Sequence, residues 1–271
     1  MAMQGYNAVV TQRVDVASGL AIFRIAPVDW ELPSFRAGQY TVLGLFGSAG
    51  RAAYTDPEEK PAPPDKMIRR AYSIASSSVD SQYLEFYVTL VRSGALTPRL
   101  FALKAGDSLW LSSKVVGMFT LERVPEGQHI VLVATGTGVA PYMSMLRTHL
   151  AEIRDAKVAV IHGARHSWDL GYHAELVTMQ RLCPNFRYVP VVSSPEEEPL
   201  PWTGRTGFIN NHWKPGAMGD LLGFEPSPRT THFFLCGNPL MIEAMVGLLS
   251  GEGFEEQTHQ RDGQIHLERY W

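Results

Sequence analysis

Hydrophobic and polar positions follow two regimes along the chain. Up to residue 123 the apolar residues fall into short β-rich runs, Tyr6–Val14, Leu20–Ile25, Tyr40–Leu45, Ile68–Ser73, Tyr83–Val91 and Ser108–Leu111, with no regular helical alternation between them. That pattern predicts an antiparallel β-barrel domain over 1–123. From 124 the pattern changes to alternation: strand 129–135, helix 139–153, strand 157–161, helix 173–183, strand 186–193, strand 232–236 and helix 240–250. Alternation of this kind predicts an α/β domain with a parallel, helix-covered sheet over 124–271. The boundary is expected within Glu122–Gly127, and the last strand, Ile265–Trp271, is expected to return toward the first domain.

Two local features modify this outline. Gly47–Lys66 holds glycine, prolines and acidic residues without periodicity, which predicts a surface loop, mobile or facing a partner. Thr97–Leu103 carries proline in its first turn and apolar residues on one face, which predicts a short helix with Thr97 as its N-cap.

Composition narrows the function classes. With 271 residues, 45% of them hydrophobic, the chain is long enough for two ordinary domains. A net charge of −3 from 24 basic and 27 acidic residues excludes a global attraction to nucleic acid or anionic membranes. No run approaches the ~18 apolar residues of a membrane span, and the first residues show no basic segment followed by an apolar core. Two cysteines, Cys183 and Cys236, are too few for a four-thiolate iron–sulfur cluster and do not form a secreted disulfide framework. A cytoplasmic protein, monomeric and without a metal site, is expected; the nine histidines lack metal-ligand spacing and read as surface or packing residues.

Candidate chemistry sits at three places. Arg70-Ala71-Tyr72-Ser73 puts a fixed cation, a flat ring and a small hydroxyl on one strand, with Arg70 and Tyr72 on one face and Ala71 and Ser73 on the other. The apolar run His129–Thr135 leads directly into Gly136-Thr137-Gly138-Val139-Ala140-Pro141, a strand, a glycine turn and a helix start whose free amides favour an anion. Phe233-Phe234-Leu235 leads into Cys236-Gly237-Asn238-Pro239 in the same way, and the chain stops on Tyr270-Trp271.

In this order, Arg-x-Tyr-Ser, Gly-Thr-Gly-Val-Ala-Pro, Cys-Gly-Asn-Pro and the aromatic terminus resemble the ferredoxin-NADP reductase family over nearly the whole chain. Glu268-Arg269-Tyr270-Trp271 and His162-Gly163-Ala164-Arg165 are similar to the bacterial ferredoxin/flavodoxin-NADP reductases rather than the plastid type. The resemblance implies bound FAD. Arg70 would face the pyrophosphate, where a guanidinium offers paired donors to phosphate oxygens. Tyr72 would pack beside the isoalloxazine and the Ser73 hydroxyl would point toward flavin N5. The backbones of Tyr87 and Val88 would contact the dinucleotide, and Gly94-Ala95-Leu96-Thr97 would present amides and a hydroxyl to the pyrophosphate. Tyr270 would cover the isoalloxazine and Trp271 would stack on adenine; burial of both aromatics in a terminal strand is the alternative.

For the nicotinamide nucleotide, the resemblance implies that Gly136, Thr137 and Gly138 face its pyrophosphate. Cys236, with Gly237 and Asn238, would lie near nicotinamide C4, unless Cys236 is simply a buried structural cysteine. Glu268 would orient nicotinamide or pass a proton, with an exposed pair to Arg269 as the alternative. Ser73, Cys236 and Glu268 are thus the catalytic candidates. The 2′-phosphate of NADP(H) would be met by Arg165, Ser193 and Arg205. Val191-Val192-Ser193-Ser194 resembles a family segment that often ends in arginine, and here serine is followed by Glu196-Glu197-Glu198, so NADPH is favoured with NADH left open. The implied partner is ferredoxin or flavodoxin, met by a local basic surface for which Arg24, Arg36, Arg69, Arg92 and Arg99 are candidates. Two rival readings remain: an NADH-using reductase component of an oxygenase or other electron-transfer system, and a non-enzymatic flavin-binding redox-sensing module.

Overall fold

The computed structural model describes residues 5–258 and 260–269, so Tyr270 and Trp271 lie outside the described residues. The chain divides into two compact units, the first running to Thr120 and including Met143–Thr148, the second made of Leu121–Tyr142 and the chain from His149 onward.

The first unit is built on β1 (Ala8–Ala17), β2 (Leu20–Pro27), β3 (Tyr40–Phe46), β4 (Met67–Ser73), β5 (Leu84–Thr89) and β6 (Ser108–Leu111), in the spatial order β4-β3-β6-β1-β2-β5. Every pairing is antiparallel. Period-two alternation puts Ala21, Phe23 and Ile25 of β2 into the core with Leu43, Leu45, Leu84, Phe86 and Leu109. The result is the barrel-like sheet that the short apolar runs foretell.

A short helix, α1 (Thr97–Leu100), crosses this unit, and its cap differs from expectation. Leu96 occupies the N-cap position without a side-chain bond. The Thr97 hydroxyl turns back instead, accepting from the Val91 amide at 3.0 Å and lying 3.1 Å from the Val91 carbonyl. Proline at 98 already fixes the first turn, so the hydroxyl is freed to tie the preceding loop.

The 47–66 segment is a loop, as expected, but it is pinned. Arg99 is 3% exposed and forks onto Glu58 at 2.7 and 3.0 Å, while also donating to the Ala95 carbonyl at 2.6 Å and the Gly47 carbonyl at 2.8 Å. Arg51 adds a second cation to Glu58 at 3.1 Å. This removes Arg99 from the basic-surface candidates. Arg24 pairs with Glu85 at 2.8 Å, Arg92 with Asp56 at 3.2 Å, and Arg69 lies 4.2 Å over the Trp110 ring. Most of the proposed cationic patch is therefore engaged within the unit.

The second unit holds a parallel sheet of β7 (His129–Thr135), β8 (Val158–Ala164), β9 (Phe186–Val192), β10 (Arg205–Thr206), β11 (Thr231–Cys236) and β12 (Ile265–Glu268). Helices α2 (Ala140–His149), α3 (His173–Leu182), α4 (Gly219–Leu222) and α5 (Pro239–Gly251) connect the strands. The strand order is β10-β9-β8-β7-β11-β12. Connections run outward from β7 on one side and then return to β7's other side, so the order reverses between β7 and β11. In open parallel sheets that reversal opens a crevice at the carboxyl ends of the strands. Helix α2 is shorter than the 139–153 expected, because Gly136–Val139 forms a tight 3-10 turn before it and the helix ends at His149. The last strand, β12, lies beside β11 and is part of this sheet.

Replacing Arg99 by Ala leaves the Ala95 and Gly47 carbonyls without this donor and Glu58 with Arg51 alone, and is expected to cost about 3 kcal/mol. A fall in the urea midpoint measures it. Lysine is expected not to rescue, because an ammonium cannot reproduce the fork.

Candidate active site

In the first unit, β4 carries the Arg-x-Tyr-Ser segment, paired with β3 so that Arg70 faces Leu43, Tyr72 faces Thr41 and Ser73 faces Tyr40. Arg70 is exposed, and its Nη1 donates only to the neighbouring Arg69 carbonyl at 2.8 Å. Among the described residues no carboxylate pairs with it, so the cation is available to an anion. Tyr72 is half-buried and packs against the barrel core. Burial pushes its phenol well above the ordinary range, with the Arg70 charge pulling slightly the other way, so it stays a neutral ring. Ser73 is buried. Tyr87 and Val88 are buried on β5 opposite Ile22 and Ala21, which leaves their backbones, not their side chains, as contact groups. Leu96 is buried too, and Gly94 accepts from Arg51 at 2.9 Å through its carbonyl.

In the second unit two loops end the strands that flank the reversal. Gly136–Gly138 follows β7, and Cys236–Asn238 follows β11. They are locked together by close backbone approach. A Cβ on Gly138 would stand 2.5 Å from the Cys236 carbonyl oxygen, and one on Gly237, at φ +130°, would collide with Thr135 Oγ1. That Thr135 hydroxyl accepts from the Asn238 amide at 2.7 Å. Asn238 then caps α5 by accepting from the Leu240 amide at 2.8 Å. Gly136 adopts φ +53°, with open space where a side chain would be. Below the loops, the Tyr142 hydroxyl lies 2.9 Å from the Val133 carbonyl and 2.7 Å from that of Phe234, bridging β7 and β11.

Cys236 is fully buried and stands opposite Glu268 in the parallel register. Its thiol lies 3.7 Å from Glu268 Oε2, within reach of a weak S–H donation. The structure thus brings two of the three catalytic candidates into contact. The third, Ser73, belongs to the other unit.

Of the adenosine-end candidates, Arg165 follows the carboxyl end of β8, Ser193 follows that of β9, and Arg205 opens β10. Ser193 donates its amide to the Ala164 carbonyl at 3.0 Å, and Arg205 is in register with Val191. Arg165 is exposed but engaged: its Nη2 donates to Glu197 Oε1 at 2.7 Å. His166 stands between two carboxylates, Asp169 at 2.9 Å and Glu197 at 2.8 Å, and stacks on Trp168 at 4.3 Å. Desolvation opposes a charge on that imidazole, but the bonds to Glu197 and Asp169 outweigh it and raise its proton affinity. The sequence shows Glu197 only within the acidic run that follows Ser194, and gives no sign of the His166 contacts.

His162, read from the sequence as a surface or packing residue, makes a specific bond that a histidine inside an apolar strand does not announce. It is fully buried, with Nε2 3.0 Å from the Gly136 carbonyl. A carbonyl only accepts, so Nε2 carries the proton, and Nδ1 is left buried without a partner. The neutral ring thereby holds the first residue of the glycine turn. Among the described residues no helix is long and apolar enough to cross a membrane, and no group of three or more His, Cys, Asp or Glu could hold a metal ion.

Residues 132–247 match the oxidoreductase NAD-binding domain family. The flavodoxin/ferredoxin–NADP reductase of Escherichia coli (strain K12) is 31% identical over 238 residues, 88% of this chain and 88% of that one. The ferredoxin–NADP reductase of Azotobacter vinelandii is 30% identical over 82% of this chain and 80% of its own. Among solved structures, a ferredoxin NADP+ reductase from Neisseria gonorrhoeae with bound FAD and NADP superposes with a TM-score of 0.80 at 25% identity, over 99% of this chain and all of that one. An antiparallel barrel joined to a parallel sheet of this kind defines the two-domain pyridine-nucleotide oxidoreductases. Within that class, the chain belongs to the flavodoxin/ferredoxin–NADP reductase family.

The buried histidines give the second unit an acid limit. Burial holds His162 down to about 4, against the pull of the Gly136 carbonyl, and holds His266 down to about 3 with help from His232 and Arg123. His232 lies 3.0 Å from His266 and is also lowered by burial. Below the unfolded value of about 6.5 the unfolded chain takes up protons that the folded one refuses, so stability falls as pH drops toward 4. The expected loss for His162 is at most about 3 kcal/mol by pH 4. Denaturant midpoints measured between pH 7 and 4 check this, and His162→Gln is expected to flatten the slope by about one proton.

Proposed function

We propose that this protein is an FAD-dependent oxidoreductase exchanging electrons between NADP(H) and ferredoxin or flavodoxin, working as a monomer in the cytoplasm. The interlocked loops at the reversal of the parallel sheet carry the reading, because they present helix-start amides and an open glycine turn where a dinucleotide pyrophosphate needs both. Family membership supplies the rest. Two free thiols, one of them buried, suit a reducing compartment.

The residues fit both dinucleotides. Arg70, free of any carboxylate among the described residues, would bind the FAD pyrophosphate, and Tyr72, a neutral half-buried ring, would flank the isoalloxazine. Ser73 would hold a hydroxyl near flavin N5. The bound pair supplies a hydride exchange between nicotinamide C4 and flavin N5. Cys236, fixed by the Gly138 contact and touching Glu268, would present a small polarizable surface to nicotinamide, and Glu268 would orient the ring or hold a proton. Arg165 and Arg205, with the Ser193 segment between them, would meet the 2′-phosphate. Tyr270 and Trp271 remain proposed aromatic covers for the flavin.

The test is anaerobic mixing of the purified, FAD-loaded protein with each nucleotide, followed by addition of ferredoxin or flavodoxin. Bleaching of the flavin by NADPH and electron transfer to the carrier are expected; an unbleached flavin with both nucleotides overturns the assignment. Arg205→Ala is expected to weaken NADPH about ten- to hundredfold while leaving NADH nearly unchanged, as loss of a charge-assisted phosphate bond requires. Equal losses for both nucleotides would remove Arg205 from the 2′-phosphate site.

A further inference from the structure

We infer that Glu197 is a specificity-determining residue, a built-in carboxylate that occupies Arg165 where a 2′-phosphate would bind and so compresses the preference for NADPH over NADH. The inference rests on the reading of Arg165 and Arg205 as the adenosine end of the nucleotide site.

Both oxygens of Glu197 are in use: Oε1 accepts from Arg165 at 2.7 Å and Oε2 accepts from His166 at 2.8 Å. His166 faces a carboxylate from each ring nitrogen, an arrangement that favours the imidazolium. Glu197 neutralises the Arg165 charge directly, with Glu196 adding further negative field there. A phosphate monoester carrying roughly −1.5 to −2 charges gains little on arrival unless Glu197 leaves.

The carboxylate is also held in place. Pro195 opens the 3-10 turn that carries it. The next residue, Glu198, clamps the Ser167 amide at 2.5 Å and the Ser167 hydroxyl at 2.7 Å. The Ser194 amide donates to the Arg165 carbonyl at 2.9 Å. Those bonds fix the turn beside Arg165 independently of the ion pair, so Glu197 stands at the guanidinium without paying the entropy of ordering a free loop. The pair itself is open to water, with Arg165 64% and Glu197 45% exposed, which keeps it displaceable. A 2′-hydroxyl makes no such demand, since it donates to a carboxylate. One residue therefore taxes the phosphorylated nucleotide and tolerates the other.

Calorimetry of the FAD-loaded protein with adenosine 2′,5′-bisphosphate and with adenosine 5′-monophosphate tests this. Glu197→Gln is expected to tighten the bisphosphate about three- to tenfold and to leave the monophosphate within about twofold, with the KM ratio of NADPH to NADH moving in parallel. In an Arg165→Ala background the same change is expected to give no gain. Glu196→Gln removes an equal charge without the contact and is expected to shift the ratio less. An unchanged bisphosphate affinity in Glu197→Gln, or an equal effect from Glu196→Gln, overturns the inference. If the wild-type protein and every variant fail to bind the bisphosphate while the flavin is still bleached by a nucleotide, both this inference and the adenosine-end assignment fall. The oxidoreductase reading would stand.

Discussion

The second unit depends on the contact between two turns that are far apart in sequence. Gly138 lies against the Cys236 carbonyl, Gly237 lies against Thr135, and the Thr135 hydroxyl receives the Asn238 amide. No side chain fits in either gap. Three consequences follow from this one approach. The backbone after β7 turns sharply enough to start α2, the Cys236 thiol is fixed beside Glu268, and Asn238 is placed to cap α5. Tyr142 reinforces the arrangement from beneath by spanning the carbonyls of the two strands, and His162 holds the Gly136 carbonyl from the β8 side. The two turns are thereby held together mainly by main-chain geometry, and side chains reinforce the arrangement.

Charge is distributed by a simple division of labour. Cations that serve the fold are buried or saturated: Arg99 within the 47–66 staple, Arg24 and Arg147 on the buried Glu85. Arg147 belongs to the first unit although it lies on α2. Cations that could serve a ligand are exposed, and of these Arg70 has no carboxylate among the described residues while Arg165 has one. Exposed ion pairs contribute little to stability. Their placement therefore bears on recognition rather than on folding.

Much of this was legible in the sequence. Apolar runs of four to nine residues mark the strands except the two-residue β10, and the switch from strand-only to alternating pattern separates the antiparallel from the parallel architecture. Glycine and proline after β7 and β11 marked both turns, because only those residues satisfy the local backbone. What the pattern could not supply is strand order: β7 lies between β8 and β11, and nothing local to His129–Thr135 encodes that neighbour. For the same reason the sequence shows Glu197 only as part of an acidic run after Ser194, the place where relatives often have arginine; its contacts with Arg165 and His166 reach across two strand ends. The bond of His162 to Gly136 is not legible in the sequence because it depends on β8 lying beside β7. Thr97 looked like a cap on composition alone, yet its hydroxyl found a nearer partner at Val91.

The position of β7 has a cost during synthesis. Its neighbour on one side, β8, follows soon in the chain, but its neighbour on the other, β11, is made only after β9, β10 and α4. Until β11 arrives, β7 presents an unpaired apolar edge of the type that invites pairing with other chains. Adding β11 to β7, with only β12 still to follow, is thus the step that brings the two turns together, so a nascent or destabilised molecule lacking that step is both sticky and without the paired turns. Nucleotide binding would select for the fully assembled sheet.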